Sequence, residues 1–172
     1  MKFKFNIFNI LIVTSFLLIP LNVLSSDKIL HRGNGAEPDT LDPHLATGHW
    51  EGSIINDIFV GLFTKGEDGS SIKGSVDSYH KSDNGLVYTF NLRKDHFWSD
   101  GIKVTAKDYV NGLRRVLNPA TASQYGSLLY LIKNAYEVNS GKLKPKSLGV
   151  REISEFTLEI ILNYPAPYFE EL

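Results

Sequence analysis

No cysteine occurs among the 172 residues. That absence excludes disulfides, zinc–thiolate centres and thiol nucleophiles, and by itself leaves the redox compartment open. A surplus of positive charge is missing as well: 18 Lys and Arg face 19 Asp and Glu, for a formal net charge of −1. Nucleic acid needs a basic stripe to displace its counterions, so that class of partner is not expected. There is no internal repeat, no low-complexity tract and no long linker. What is present suits a folded body. Apolar residues make up 42% and charged residues 22%, a balance that supports a core and argues against wholesale disorder. The length fits one ordinary domain, or part of a larger one.

One long hydrophobic run does occur, Ile10 to Ile19, closed by Pro20. Lys2 and Lys4 precede it, and the small residues Ser25 and Ser26 follow. A basic start, a short apolar middle and a small-residue exit are the three parts of a secretory signal. Val23 and Ser25 stand at the −3 and −1 positions of a cut after Ser25, and residues 1–26 are read as that signal. The competing reading is a membrane anchor over Phe5 to Leu24, which Asn6, Asn9, Asn22 and Pro20 weaken. With no Cys behind the run there is no lipid-attachment point, so a periplasmic product is expected. Removing residues 1–26 would leave 16 basic residues against 19 acidic, a net charge of −3.

Beyond Asp27, periodicity outlines the elements. Ile29 to Arg32 is a short extended piece that runs into the loop GNGAEPDTLDP. Ile54, Ile55, Ile58, Phe59 and Leu62 recur at three-and-four spacing and predict a helix over Glu51 to Leu62 with that face buried. KGEDGS at 65–70 reads as a turn. Val87 to Arg93 alternates, with Tyr88, Phe90 and Leu92 on one side, as a half-buried strand does. Asp100-Gly101 marks a turn. Thr105 followed by Asp108 has the spacing of a capping box, opening a helix that buries Tyr109, Leu113, Val116 and Leu117 and stops before Pro119. A further helix is expected over Ser127 to Ser140, burying Leu128, Leu131, Ile132, Ala135 and Tyr136 and ending at Gly141. A hairpin closes the pattern: Leu148 to Ile153, a turn at Ser154-Glu155, then Thr157 to Leu162. The fold class is α+β. The final NYPAPYFEEL leaves Tyr164, Tyr168, Phe169 and Leu172 without an evident surface to dock on, so the chain reads as cut short.

Residues that could carry chemistry argue mostly against it. His44 and His49 are five apart with Asp42 nearby, but an intervening Pro and Gly prevent one helix from presenting both. A transition metal also wants three or four converging ligands. Ser99, His96 and Asp100 are neighbours on a turn, and no Gly-x-Ser-x-Gly elbow exists. Asp95 and Asp100 are ordinary turn carboxylates. GNG at 33–35 lacks the rest of a phosphate loop. No enzyme activity, cofactor or metal site is expected.

Binding is the better reading. Thr47, Gly48 and His49 lie between a Pro-constrained loop and a helix start, where free backbone N–H and C=O groups could pair with another extended chain. Tyr125 is an aromatic at a loop tip. The plainer alternatives are that Gly48 only serves the turn and that Tyr125 is a core aromatic.

Three blocks then combine: EPDTLDP at 37–43, FNLRKDHFWSDG at 90–101 and VTAKDYV at 104–110. In this order they resemble the N-terminal part of the periplasmic oligopeptide-binding proteins, the family 5 solute-binding proteins of peptide and nickel ABC importers. The resemblance runs from about Leu30 to the last residue. It implies an incomplete periplasmic-binding-protein fold of type II: residues 27–60 would begin lobe I and carry the ligand-facing loop. Residues 61–172 would supply most of an extra α+β domain, truncated at its C-terminal end. Carried over residue by residue, it implies peptide contacts at Thr47, Gly48, His49 and Tyr125, and a structural role for WSDG. Family members can carry an acid at the position of Thr47, where this chain has none. The implied partners are a peptide ligand and the membrane subunits of an ABC transporter, with the protein itself a monomer. Two alternatives stay open: an inactive remnant or split-gene product, and a nickel or other metal carrier.

Overall fold

A computed structural model describes residues 29–171, so the expected signal at 1–26 lies outside the described residues. The chain divides into two units, Met1–Gly33 and Asn34–Leu172. Residues 29–33 of the first carry no helix or strand. The second holds every element named below.

The core is built on a four-stranded antiparallel sheet in the order β3-β4-β6-β5, where β3 is Val76–Lys81, β4 Val87–Leu92, β5 Val150–Ser154 and β6 Thr157–Ile161. Alternation in β4 does what the sequence predicts: Tyr88, Phe90 and Leu92 are all buried. Register carries the pattern across the ladder, setting Tyr88 opposite Ile160 and Phe90 opposite Leu158, so cross-strand pairs share one apolar face. The edge strands β3 and β5 each carry a register shift, at Val76/Ser78 and at Glu152/Ser154. Strand β3 was not expected from the sequence. Being an edge, it buries only Val76, so it shows no alternating signal.

Helix α2 (Ala106–Val116) lies across β5 and β6. It starts as its capping box predicts: the Asp108 carboxylate accepts from the Thr105 N–H and the Thr105 hydroxyl, each at 2.8 Å. Ala106, Val110 and Leu117 are its buried line, and Tyr109, Leu113 and Val116 pack at the margin of the core.

The helix expected over Ser127 to Ser140 is broken in two. A single 3₁₀ turn covers Gly126–Leu129, and α3 spans only Ala135–Asn139. Between them Ile132 bridges to Leu162, and the Lys133 N–H donates to the Ile161 carbonyl at 2.8 Å. The segment thus commits backbone groups to the sheet that a helix would need. Asn134 follows at φ 64°, a left-handed geometry Asn tolerates better than most. Leu131, Ile132 and Ala135 are buried as expected, whereas Leu128 and Tyr136 are exposed. Gly141, at φ 76°, ends the run.

Helix α1 (His49–Ile58) begins two residues before the expected start and ends four early, because Phe59 is already extended. Its apolar face is only half covered at Ile54 and Ile55, and from Ile58 onward it is open. Ile58 is 58% exposed, Phe59 41% and Val60 55%, and among the described residues none before Leu62 belongs to the core cluster or packs against it. A separate hairpin follows, β1 (Phe63–Lys65) and β2 (Ser71–Lys73), its loop being the turn expected at 65–70.

Part of the closing segment does dock. In the 3₁₀ turn Pro167–Glu171, Phe169 is buried edge-on against Tyr88 with ring centroids 4.9 Å apart. Glu170 accepts from the Tyr79 hydroxyl at 2.6 Å and, through its carbonyl, from the Ser71 hydroxyl at 2.7 Å. That bond pushes the Tyr79 phenol up to about 12. Tyr164 and Tyr168 stay about half exposed.

Candidate functional site

The residues singled out for ligand contact meet at one place. The loop 39–48 delivers Thr47, Gly48 and His49 to the start of α1, and the Tyr125 hydroxyl, 78 residues away, donates to the Thr47 carbonyl at 3.2 Å. All four residues are exposed, Tyr125 by 51%. Tyr125 is therefore no core aromatic.

Three anchors fix that loop. At its base the Asp39 N–H donates to Glu51 Oε1 at 2.9 Å. In its middle Asp42 acts as a hub. Its carbonyl accepts from the N–H groups of Leu45 and Ala46, both at 3.0 Å, and its Oδ1 accepts from the His44 N–H at 3.0 Å. The Arg115 guanidinium at the end of α2 grips both Asp42 carboxylate oxygens and also donates to His44 Nδ1 at 2.8 Å. At the tip stands the Tyr125–Thr47 bond. The fork from Arg115, followed by the His44 amide, holds the Asp42 carboxyl down at about 2. Burial first, then the charge of Arg115, lowers the His44 imidazole below its ordinary value.

Gly48 is the N-cap of α1 and Glu51 sits three residues in, nearly buried at 4% exposure. The Glu51 carboxyl lies below its usual value, chiefly through the Asp39 amide, with its own and the Gly48 amide contributing. Its Oε2 is buried without a fully formed hydrogen bond. This is half of a capping box, with the acid present and the hydroxyl absent.

Much of the backbone at Thr47–His49 is engaged within the chain, the His49 carbonyl accepting from the Ser53 hydroxyl at 3.1 Å. The Thr47 carbonyl is taken by Tyr125, and the Gly48 carbonyl accepts from the Gly52 N–H at 3.2 Å as α1 begins. Of the N–H groups at the helix start, those of Gly48 and Glu51 are turned to the Glu51 carboxylate. Nor do the four residues line either of two open clefts. One, of about 820 Å³, runs beside β1 and β2. The other, of about 880 Å³, lies between Ile58–Val60, Phe97–Trp98 and the Tyr109–Leu113 side of α2. The candidate site is an open surface.

His44 and His49 do not join a metal cluster. Among the described residues no three His, Cys, Asp or Glu side chains converge to hold an ion, and His44 Nδ1 already faces Arg115. Asp42, Glu51 and Arg115 escaped the sequence reading as loop supports. Glu51 had a legible signal, its spacing from Gly48. Arg115, 73 residues from Asp42, had none.

The α+β body thus presents a pinned, exposed loop beside an aromatic, and comparison with known proteins shows its family. Residues 40–172 match the model of the bacterial extracellular solute-binding proteins, family 5 Middle, and the chain belongs to that family. The periplasmic oligopeptide-binding protein OppA of Escherichia coli is 41% identical over 157 residues, covering 90% of this chain and 29% of that protein. The periplasmic murein peptide-binding protein MppA of the same organism is 37% identical over 152 residues, 87% of this chain and 28% of that one. Among solved structures, peptide-bound OppA of Listeria monocytogenes superposes with a TM-score of 0.77 at 34% identity, covering 78% of this chain and 27% of that chain. The chain therefore spans under a third of the length of these relatives.

Proposed function

We propose that this chain forms one jaw of the extracytoplasmic solute-binding component of an ABC importer, with oligopeptides as the solute and Thr47, Gly48, His49 and Tyr125 as its peptide-facing residues. The division is residues 27–60 as the start of one lobe with the ligand-facing loop, and 61–172 as most of an extra α+β domain. Among the described residues, none before Leu62 belongs to the core, which supports that boundary. The observation that carries the reading is the bond from Tyr125 to the Thr47 carbonyl. It joins two segments far apart in sequence on one exposed surface, in a chain whose relatives include a structure bound to peptide.

A clasp of this kind closes because ligand touches both lobes only in the closed state. One jaw alone offers a fraction of those contacts. Forgoing even about 4 kcal/mol of bridging interaction weakens binding roughly a thousandfold. Calorimetry of the full chain with mixed tri- to pentapeptides is expected to show no binding tighter than the high micromolar range. Millimolar peptide is expected to shift the NMR signals of Thr47–His49 and of the Tyr125 ring, and to leave the Tyr88 and Phe90 signals unmoved. Micromolar binding would refute the one-jaw account. Silence at all four residues would refute their assignment to the ligand.

A further inference from the structure

We infer that Arg115 is a positioning residue for the Thr47–His49 loop, gripping Asp42 and His44 with its side chain while its backbone sets the approach of Tyr125. The inference rests on reading that loop as ligand-facing. Its own observation is that one residue bonds both of the segments that lead to the Tyr125–Thr47 pair, at Asp42 and His44 on one side and at Asn118 and Thr121 on the other.

On the loop side, the guanidinium bonds both Asp42 carboxylate oxygens and His44 Nδ1. Asp42 in turn shapes the turn above it through the amides of His44, Leu45 and Ala46, and Thr47 follows directly. On the other side, the Arg115 carbonyl accepts from the Thr121 hydroxyl at 2.6 Å and from the Asn118 N–H at 3.1 Å. Those bonds shape the 3₁₀ turn Pro119–Thr121, from which Ala122, at φ 53°, redirects the chain toward Tyr125.

Arginine suits the task where lysine would not. A planar fork can hold two carboxylate oxygens and a ring nitrogen at fixed angles, and an ammonium is a point charge. The pair is too open to be a main source of stability, with the Arg115 side chain 49% exposed and that of Asp42 26%. Its effect is local geometry. The acceptor role of His44 also requires the neutral ring. The charged groups facing His44 are Asp42 from its own loop and Arg115 from α2, and Asp95, His96 and Asp108 line the same cleft. Protonating His44 places a second cation beside the guanidinium and removes one of its bonds.

The test uses the full chain and amide hydrogen exchange, comparing Arg115→Gln, Arg115→Lys and Asp42→Asn with the parent. Protection at His44, Leu45 and Ala46 is expected to fall about tenfold in Arg115→Gln and Asp42→Asn, with Tyr88, Phe90 and Leu158 unchanged. Arg115→Lys is expected to recover less than half of it. In the parent, loop protection should fall as pH drops below 6.5, and Arg115→Gln should flatten that dependence. Unchanged loop protection in both neutral variants overturns the inference. So does an equal loss across loop and sheet, which would make the pair a general stabiliser. Adding millimolar trialanine separates the two levels: if exchange responds as stated but peptide moves nothing, Arg115 still positions the loop and the ligand assignment alone fails.

Discussion

At Gly48 the backbone is extended, with φ −95° and ψ 163°, a conformation open to any residue. The need for glycine is one of space: an added Cβ would lie 2.2 Å from Glu51 Oε2. Gly48→Ala is therefore expected to push the carboxylate off the helix start and raise exchange at residues 49–52 several-fold. Pairing it with Glu51→Asp, which draws the carboxylate back, should restore part of the protection. If Gly48→Ala exchanges like the parent, glycine is there for another reason. Asp42 and His44 make a pH statement of the same locality. Each is held below its ordinary value in the fold, so each contribution is present above the unfolded value and lost as pH falls. His44 should weaken the loop as pH drops below 6.5. Asp42 should follow between 3.8 and about 2. Loop protection measured from pH 8 to 2 should accordingly fall in two stages, and a single stage confined below 3.8 would remove His44 from the account. Little of this was legible in sequence. Gly48 and Tyr125 stand out by residue type, but the Asp42–Arg115 fork depends on a return of the chain that no local pattern encodes.

Elements differ in how openly they announce themselves. Strand β4 is legible because one face is wholly buried, so Tyr88, Phe90 and Leu92 alternate with polar neighbours. Helix α2 is legible because its cap is local, Thr105 to Asp108. The segment 127–140 misleads because Leu131, Ile132 and Ala135 are buried at helical spacing for a different reason: they pack on the sheet while the backbone bridges to Leu162. The docking of Phe169 was hidden as well, since its partner Tyr88 lies far back in the chain. That contact yields a measurable contrast. Phe169→Ala should cost about 3 kcal/mol in urea denaturation, in the range for a buried aromatic, while Tyr168→Ala should stay within about 0.5 kcal/mol. Equal effects would mean that the closing turn is not anchored as described.

Across the whole molecule, apolar surface remains open where the cleft between α1 and α2 is walled by Ile58, Phe59, Phe97 and Trp98. Patches of this kind mark interaction sites or invite association. The chain is expected to bind a hydrophobic dye and to scatter light increasingly with concentration, and the double variant Phe59→Ser/Val60→Ser to reduce both. Undiminished scattering in that variant would place the sticky surface elsewhere.

The register shifts in β3 and β5 bear on the form such association takes. They fall on the two outer strands of the sheet, which also present Asp77, His80, Lys81, Arg151 and Glu152 to solvent. Kinked, charged rims make poor templates for another backbone to zip onto. Clusters of this protein should accordingly be amorphous and reversible on dilution, with no fibrillar order and no thioflavin signal.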